Sequence, residues 1–129
     1  MRRELRPDDL APPAANYAHA VLSSDVQRML HTSGVVPTRP DGTIPETIAE
    51  QAEVIWQTLS TLLVDAEMGP ENIVSVTTYV VVDHMSGLTE VMAARDRVLG
   101  GHRAASTLVT VPALANADWL MEISVVATG

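Results

Sequence analysis

A chain of 129 residues, 47% of them hydrophobic, is long enough to bury an aliphatic core without metal or disulfide and too apolar to be disordered. Sixteen acidic against eight basic side chains give a net charge of −8, and there are only two Trp, two Tyr and no Phe; this argues against nucleic acid, whose phosphates need cations and whose bases need aromatic faces. The absence of Cys excludes disulfides, thiolate nucleophiles and cysteine-based metal sites.

Residues 1–16, rich in Pro and charge, read as an irregular lead-in to a single domain spanning 1–129. The basic start has no apolar signal-peptide run, and no stretch reaches the roughly 18 apolar residues of a membrane span, so a soluble cytoplasmic protein is expected. Tyr17–Leu22 and Gln27–Ser33 are short strand candidates joined by a polar turn, and Pro37–Glu46 is turn chemistry throughout. Ile48, Ala52, Ile55, Leu59, Leu62 and Ala66 recur in steps of three and four and predict a first helix. Thr47 with Glu50, or Thr43 with Glu46, would cap its start, and Gly69-Pro70 its end.

Asn72–Val82 is β-branched and predicts a central strand. Leu88, Val91, Met92, Arg95, Val98 and Leu99 have helical spacing, closed by Gly100-Gly101. Ser106–Val111 and Trp119–Ala127 predict the last two strands. The order β-β-α-β-α-β-β makes a two-layer α+β domain with two helices on one face of the sheet. The other face then lacks cover, which points to an oligomer.

Few residues suggest chemistry. Glu122 stands mid-strand among apolar neighbours, on one face with Leu120, Ser124 and Val126. A carboxylate there is disfavoured unless paired or solvated, and a desolvated carboxyl suits proton transfer; a solvent-facing or arginine-paired Glu is the plainer reading. Arg103, ahead of the penultimate strand, is either an anchor for an anion or a solvated loop cation. Tyr17 suits a pocket or packing equally well, while Trp56 and the stripe of the first helix suit core or interface. His19, His31, His84 and His102 lack zinc-ligand spacing, and neither a P-loop nor a dinucleotide fingerprint occurs, so no metal or cofactor is expected.

Several segments taken together carry a resemblance: NYAHAV at 16–21, HTSG at 31–34, TIAEQ at 47–51, the strand from Asn72, VTVPAL at 109–114 and LMEI at 120–123. In order and spacing, over about residues 16–127, the chain resembles the Rid/YjgF/YER057c/UK114 family. The resemblance implies a chorismate-mutase-like fold with a mixed sheet, a homotrimer whose sheets face a central barrel, and small-molecule pockets at the subunit interfaces. It also implies hydrolysis of reactive enamines and imines such as 2-aminoacrylate, without metal or cofactor.

The family's pocket tyrosine, backbone glycine and glutamate fall on Tyr17, Gly34 and Glu122. Its pocket arginine does not carry over. Register from Val109–Leu114 puts that slot at Ser106, and counting back from Glu122 puts it at Thr107. Arg103 lies three residues before Ser106, about 10 Å along an extended chain and on the opposite face; only a curled loop would swing it inward. Three further polar pocket positions become Ala18, Val35 and Met92. The expectation is an enamine or imine deaminase with a substrate altered from 2-aminoacrylate, its pocket lined by hydroxyls and backbone. The alternative is a non-catalytic trimeric binder, or a member recruited to another metabolic or biosynthetic step.

Overall fold

The computed structural model describes residues 1–129. Helix α1 (Ile48–Asp65) starts where the sequence offers a cap: Thr47 is extended and its hydroxyl accepts the Glu50 N–H at 3.3 Å. Of the two capping pairs the structure uses this one; the Thr43 hydroxyl instead donates to Asp41 at 2.7 Å within the preceding turn. The helix ends four residues before the expected Gly69-Pro70. Glu67 takes the left-handed conformation (φ 56°), its N–H reaches the Val64 carbonyl at 2.9 Å, and the Met68 N–H reaches Leu63 at 2.8 Å. This double closure satisfies the last carbonyls without glycine, and burial of Met68 against the core holds it.

The buried face of α1 runs through Gln51, Ala52, Ile55, Trp56, Leu59 and Leu63. Leu62, expected inside, is 39% exposed, because the face drifts toward Leu63 over the last turn. Helix α2 (Leu88–Leu99) follows a short 3-10 turn and stops at Gly100, whose left-handed φ of 57° glycine adopts without steric cost. It buries Val91, Ala94, Arg95 and Leu99.

The strands are β1 (Arg2–Glu4), β2 (Val21–Ser23), β3 (Met29–His31), β4 (Ile73–Val81), β5 (Ala105–Val111) and β6 (Met121–Thr128). The lead-in is therefore not irregular throughout: Arg2–Glu4 pairs antiparallel with Val21–Ser23. Nor do the two early strands form a hairpin, because β3 pairs with β6. Asp25, at φ 54°, lies in the turn that sends the chain from β2 toward the other sheet.

The four-stranded mixed sheet has the order β3-β6-β4-β5, with β4 parallel to β5 across the α2 crossover and antiparallel to β6. Alternation decides what each face holds. Val76, Val80, Met121, Ile123, Val125 and Ala127 pack in one cluster with both helices. The opposite face carries Thr77 and Tyr79 of β4 beside Ser124 and Glu122 of β6, with no helix over it. This is the expected two-layer α+β arrangement. Both helices are amphipathic or short, and neither is long and apolar enough to cross a membrane.

Candidate functional site

Glu122 owes its position to the strand beneath it and to the chain that follows β3. Thr32 to Val35 continues alongside β6. The Thr32 N–H bonds the Val125 carbonyl at 3.1 Å, the Thr32 hydroxyl accepts the Val125 N–H at 3.0 Å, and Val35 and Ile123 exchange backbone bonds at 2.7 and 3.1 Å. Gly34 is thereby laid over the Glu122 side chain. A Cβ placed on Gly34 would come within 2.6 Å of the Glu122 Cδ, so glycine is required here for space and not for its backbone angles. The Glu122 carboxylate is half-buried and makes no hydrogen bond or ion pair with the rest of the chain. The arginine-paired reading of this residue therefore does not hold within the protomer, and its oxygens are free to meet a ligand or water. Tyr79 is its cross-strand partner.

Gln51, from the TIAEQ stretch, fixes the approach to β6. Its buried amide donates to the carbonyls of Pro45 (2.8 Å) and Asp118 (2.9 Å) and accepts the Leu120 N–H at 2.8 Å. All three bonds tie the loop before α1 to the turn that delivers Glu122.

Ser106 and Thr107, which the sequence left as alternatives for one slot, point to opposite faces of β5. Thr107 is level with Thr77, on the same face as Glu122. It lies two strands across and one pair along from Glu122, about 12 Å by ordinary strand and residue spacings. Ser106 points to the helix side, where it lines a cavity of about 250 Å³ with Tyr17, Leu88, Met92, Arg95 and Leu108. Tyr17 reaches that cavity because Ala18 is bridged to Ala105 and its N–H bonds the Ala104 carbonyl at 2.9 Å.

Arg103 does not belong to this cavity. Its guanidinium pairs with Glu4 at 3.1 Å and donates to the Tyr17 carbonyl, so it staples the first strand to the outside of the Tyr17 segment. Of its two sequence readings, an anion anchor or a solvated loop cation, it fills neither within the protomer, being held by these two partners. The Glu4 carboxyl sits below the ordinary range, first because Arg6 hydrogen-bonds it; partial burial opposes this, and the charge of Arg103 adds to it.

The cation the cavity does contain is Arg95, which the sequence shows only as one member of the helical spacing of α2. Its side chain is 9% exposed. Its signal in the sequence was a charge standing inside the apolar spacing of α2. The chain has no lysine, so a lysine Schiff base is outside its chemistry. The structure thus brings together Tyr17 with Ser106, and Gly34 with Glu122. It does not bring these pairs together in one protomer, because Ser106 and Glu122 point to opposite faces of the sheet.

Two amphipathic helices on one face of a mixed sheet, with chain ends and site segments in this order, define the chorismate-mutase-like α+β fold. The family model described as Endoribonuclease L-PSP matches residues 9–129. The chain belongs to this family, known also as the Rid or YjgF/YER057c/UK114 family. It is 29% identical over 117 residues to the mitochondrial protein MMF1 of Saccharomyces cerevisiae, covering 88% of this chain and 77% of that protein. The crystal structure of the Rid family protein YyfB from Yersinia pestis, described as of unknown function, superposes with a TM-score of 0.87 at 27% identity, covering 98% of each chain. The Escherichia coli protein TdcF, crystallised with bound serine, shares the fold at a TM-score of 0.73 and 19% identity, over 98% of each chain.

Proposed function

We propose that this protein hydrolyses a small reactive imine or enamine, as a homotrimer whose pockets form between subunits, with Glu122 as the catalytic residue. The observation that carries this is the unpaired, half-buried Glu122 carboxylate laid against Gly34. A carboxylate so placed accepts a proton from water as the water oxygen attacks the imine carbon. It then returns the proton to nitrogen, the C–N bond of the carbinolamine breaks as its hydroxyl gives up its own proton to the same carboxylate, and a carbonyl compound and ammonia leave. For an enamine, protonation at carbon first produces the imine.

The trimer is supported by the chemistry of the uncovered sheet face. Tyr79 and Val126 on that face are only half-buried and Val109 is 40% exposed, with no helix over them. It is supported also by the division of the site. Tyr17 and Ser106 sit on the helix side at edge strand β5, and Glu122 sits on the open side. Packing of the β5 edge of one protomer against the open face of the next would join the two halves.

The test is release of ketone from freshly generated imines, both of keto acids and of neutral ketones. Glu122→Ala is expected to lose roughly a hundredfold or more in rate, the usual worth of a positioned general acid–base. Equal rates for the two proteins, or no acceleration over buffer for any imine, would refute the reading.

A non-catalytic binder is favoured by one feature, the apolar residues where the resemblance led one to expect polar ones. Met92 lines the cavity, and Ala18 is fully buried. Ligand held equally by wild type and Glu122→Gln, with no turnover by either, would establish that alternative.

A further inference from the structure

Arg95 occupies the α2 face that packs on the sheet, where an arginine is costly to bury unless its five donors are used. They are not all used. Nε donates to the adjacent Asp96 carboxylate at 3.1 Å, and Nη1 approaches the Ser106 hydroxyl at 3.5 Å, the long limit of a hydrogen bond. Nη2 lies 3.1 Å from the same Asp96 oxygen but out of line for a hydrogen bond, and it has no other partner although it is buried. Asp96 neutralises one edge of the guanidinium from its exposed side. The side chain as a whole lines the cavity shared with Tyr17 and Ser106, with Nη1 turned toward the Ser106 hydroxyl.

The rest of its lining is apolar, with Leu88 and Met92 on the same helix as Arg95 and Leu108 on the same strand as Ser106. The cavity therefore has one cationic, hydroxyl-bearing end and an aliphatic body. Its volume, about 250 Å³, suits a ligand of a few carbons.

We propose that Arg95, with Ser106, is the anion receptor of this cavity, holding the carboxylate of a small aliphatic ligand. The carboxylate meets Arg95 and the Ser106 hydroxyl, and the aliphatic group lies on Leu88, Met92 and Leu108. The cation that strand β5 does not carry at Ser106 is thus delivered from helix α2 to the same place. This deepens the proposed activity and rests on it for the reaction only; binding of a carboxylate stands apart from turnover.

The probes are pyruvate, 2-ketobutyrate and the neutral ester methyl pyruvate, titrated into the ¹⁵N-labelled full chain. Wild type is expected to prefer pyruvate over its ester by roughly ten- to a hundredfold, the worth of a hydrogen-bonded charge, with 2-ketobutyrate tighter than pyruvate. Arg95→Met, which keeps the stem's bulk, is expected to abolish the preference while still binding the ester; Ser106→Ala is expected to weaken it severalfold. A preference for pyruvate that survives in Arg95→Met overturns the proposal, as does absence of that preference in wild type. Should Arg95→Met fail to fold, the Arg95 guanidinium signals of wild type decide: movement with pyruvate and not with its ester supports the assignment, and no movement overturns it. Carboxylate preference without hydrolysis of any imine would sink the proposed activity and leave the receptor standing. Hydrolysis indifferent to Arg95 would do the reverse.

Discussion

If each pocket draws its two halves from neighbouring subunits, two dead variants should repair one another. Glu122→Ala spoils the half containing Gly34, and Arg95→Met spoils the half containing Tyr17 and Ser106. The two side chains project from opposite layers of one protomer, so no protomer of either kind carries an intact pair in any other arrangement. In a cyclic trimer assembled at random from equal amounts, a pocket is intact when its glutamate half comes from one variant and its arginine half from the other. The chance of each is one half, so about one quarter of the pockets are intact, and the yield follows the product of the two mole fractions. The assay is ketone release from the imine of 2-ketobutyrate after co-refolding at several mixing ratios. Native mass spectrometry counts the mixed species, since the two substitutions change the mass differently. A recovery near a quarter of wild type, greatest at equal mixing, is expected. Mixed trimers that show only the summed residual rates of the parents would refute the divided site, because a site within one chain leaves a lesion in every pocket.

Three further outcomes follow from particular contacts. Gly34→Ala should displace the Glu122 carboxylate and lower kcat by an amount close to that of Glu122→Ala, with thermal stability little changed, because the flexible carboxylate end yields; kinetics beside a melting curve checks both. Gln51→Leu should leave the Pro45, Asp118 and Leu120 backbone groups without partners, costing about 3 kcal/mol and lowering Tm by roughly 10 °C; a smaller shift, under a third of that, would show that water replaces the amide. The lowered carboxyl of Glu4 contributes stability that is complete above the ordinary carboxylate range and is lost as pH falls through its depressed folded value. Acidification should therefore loosen the β1–β2 pair first, seen as amide shifts at Val21 and Ser23, and Glu4→Gln should show the same shifts already at neutral pH.

The layer arrangement was readable because its signals are periodic. Thr47 and the stripe from Ala52 to Leu59 fix α1, and the β-branched run to Val81 fixes β4. Alternation alone put Glu122 on one face with Ser124 and Val126, and the helix packing shows that this face lies away from the core. What could not be read is set by contacts between distant segments. The pairing of Arg2–Glu4 with Val21–Ser23 joins charged residues that resemble a loop. Glu67 closes α1 in a conformation that sequence rules reserve for glycine. A turn one residue longer left Ser106 and Thr107 as alternatives for one slot, and on a strand one residue means the other face. Arg95 escaped notice because periodicity counted it as part of a packing stripe, and only the buried, unsatisfied Nη2 reveals it.

Arg103, though outside the cavity, governs its outer wall. It holds the Tyr17 carbonyl from the solvent side, and its own place depends on the charge of Glu4. Attraction between partly hydrated charges weakens as ions screen it, with a Debye length of about 8 Å at physiological ionic strength and about 3 Å in molar salt. Higher salt should therefore loosen the hold on the Tyr17 segment, and ligands of different bulk should gain or lose ground against each other as salt concentration changes.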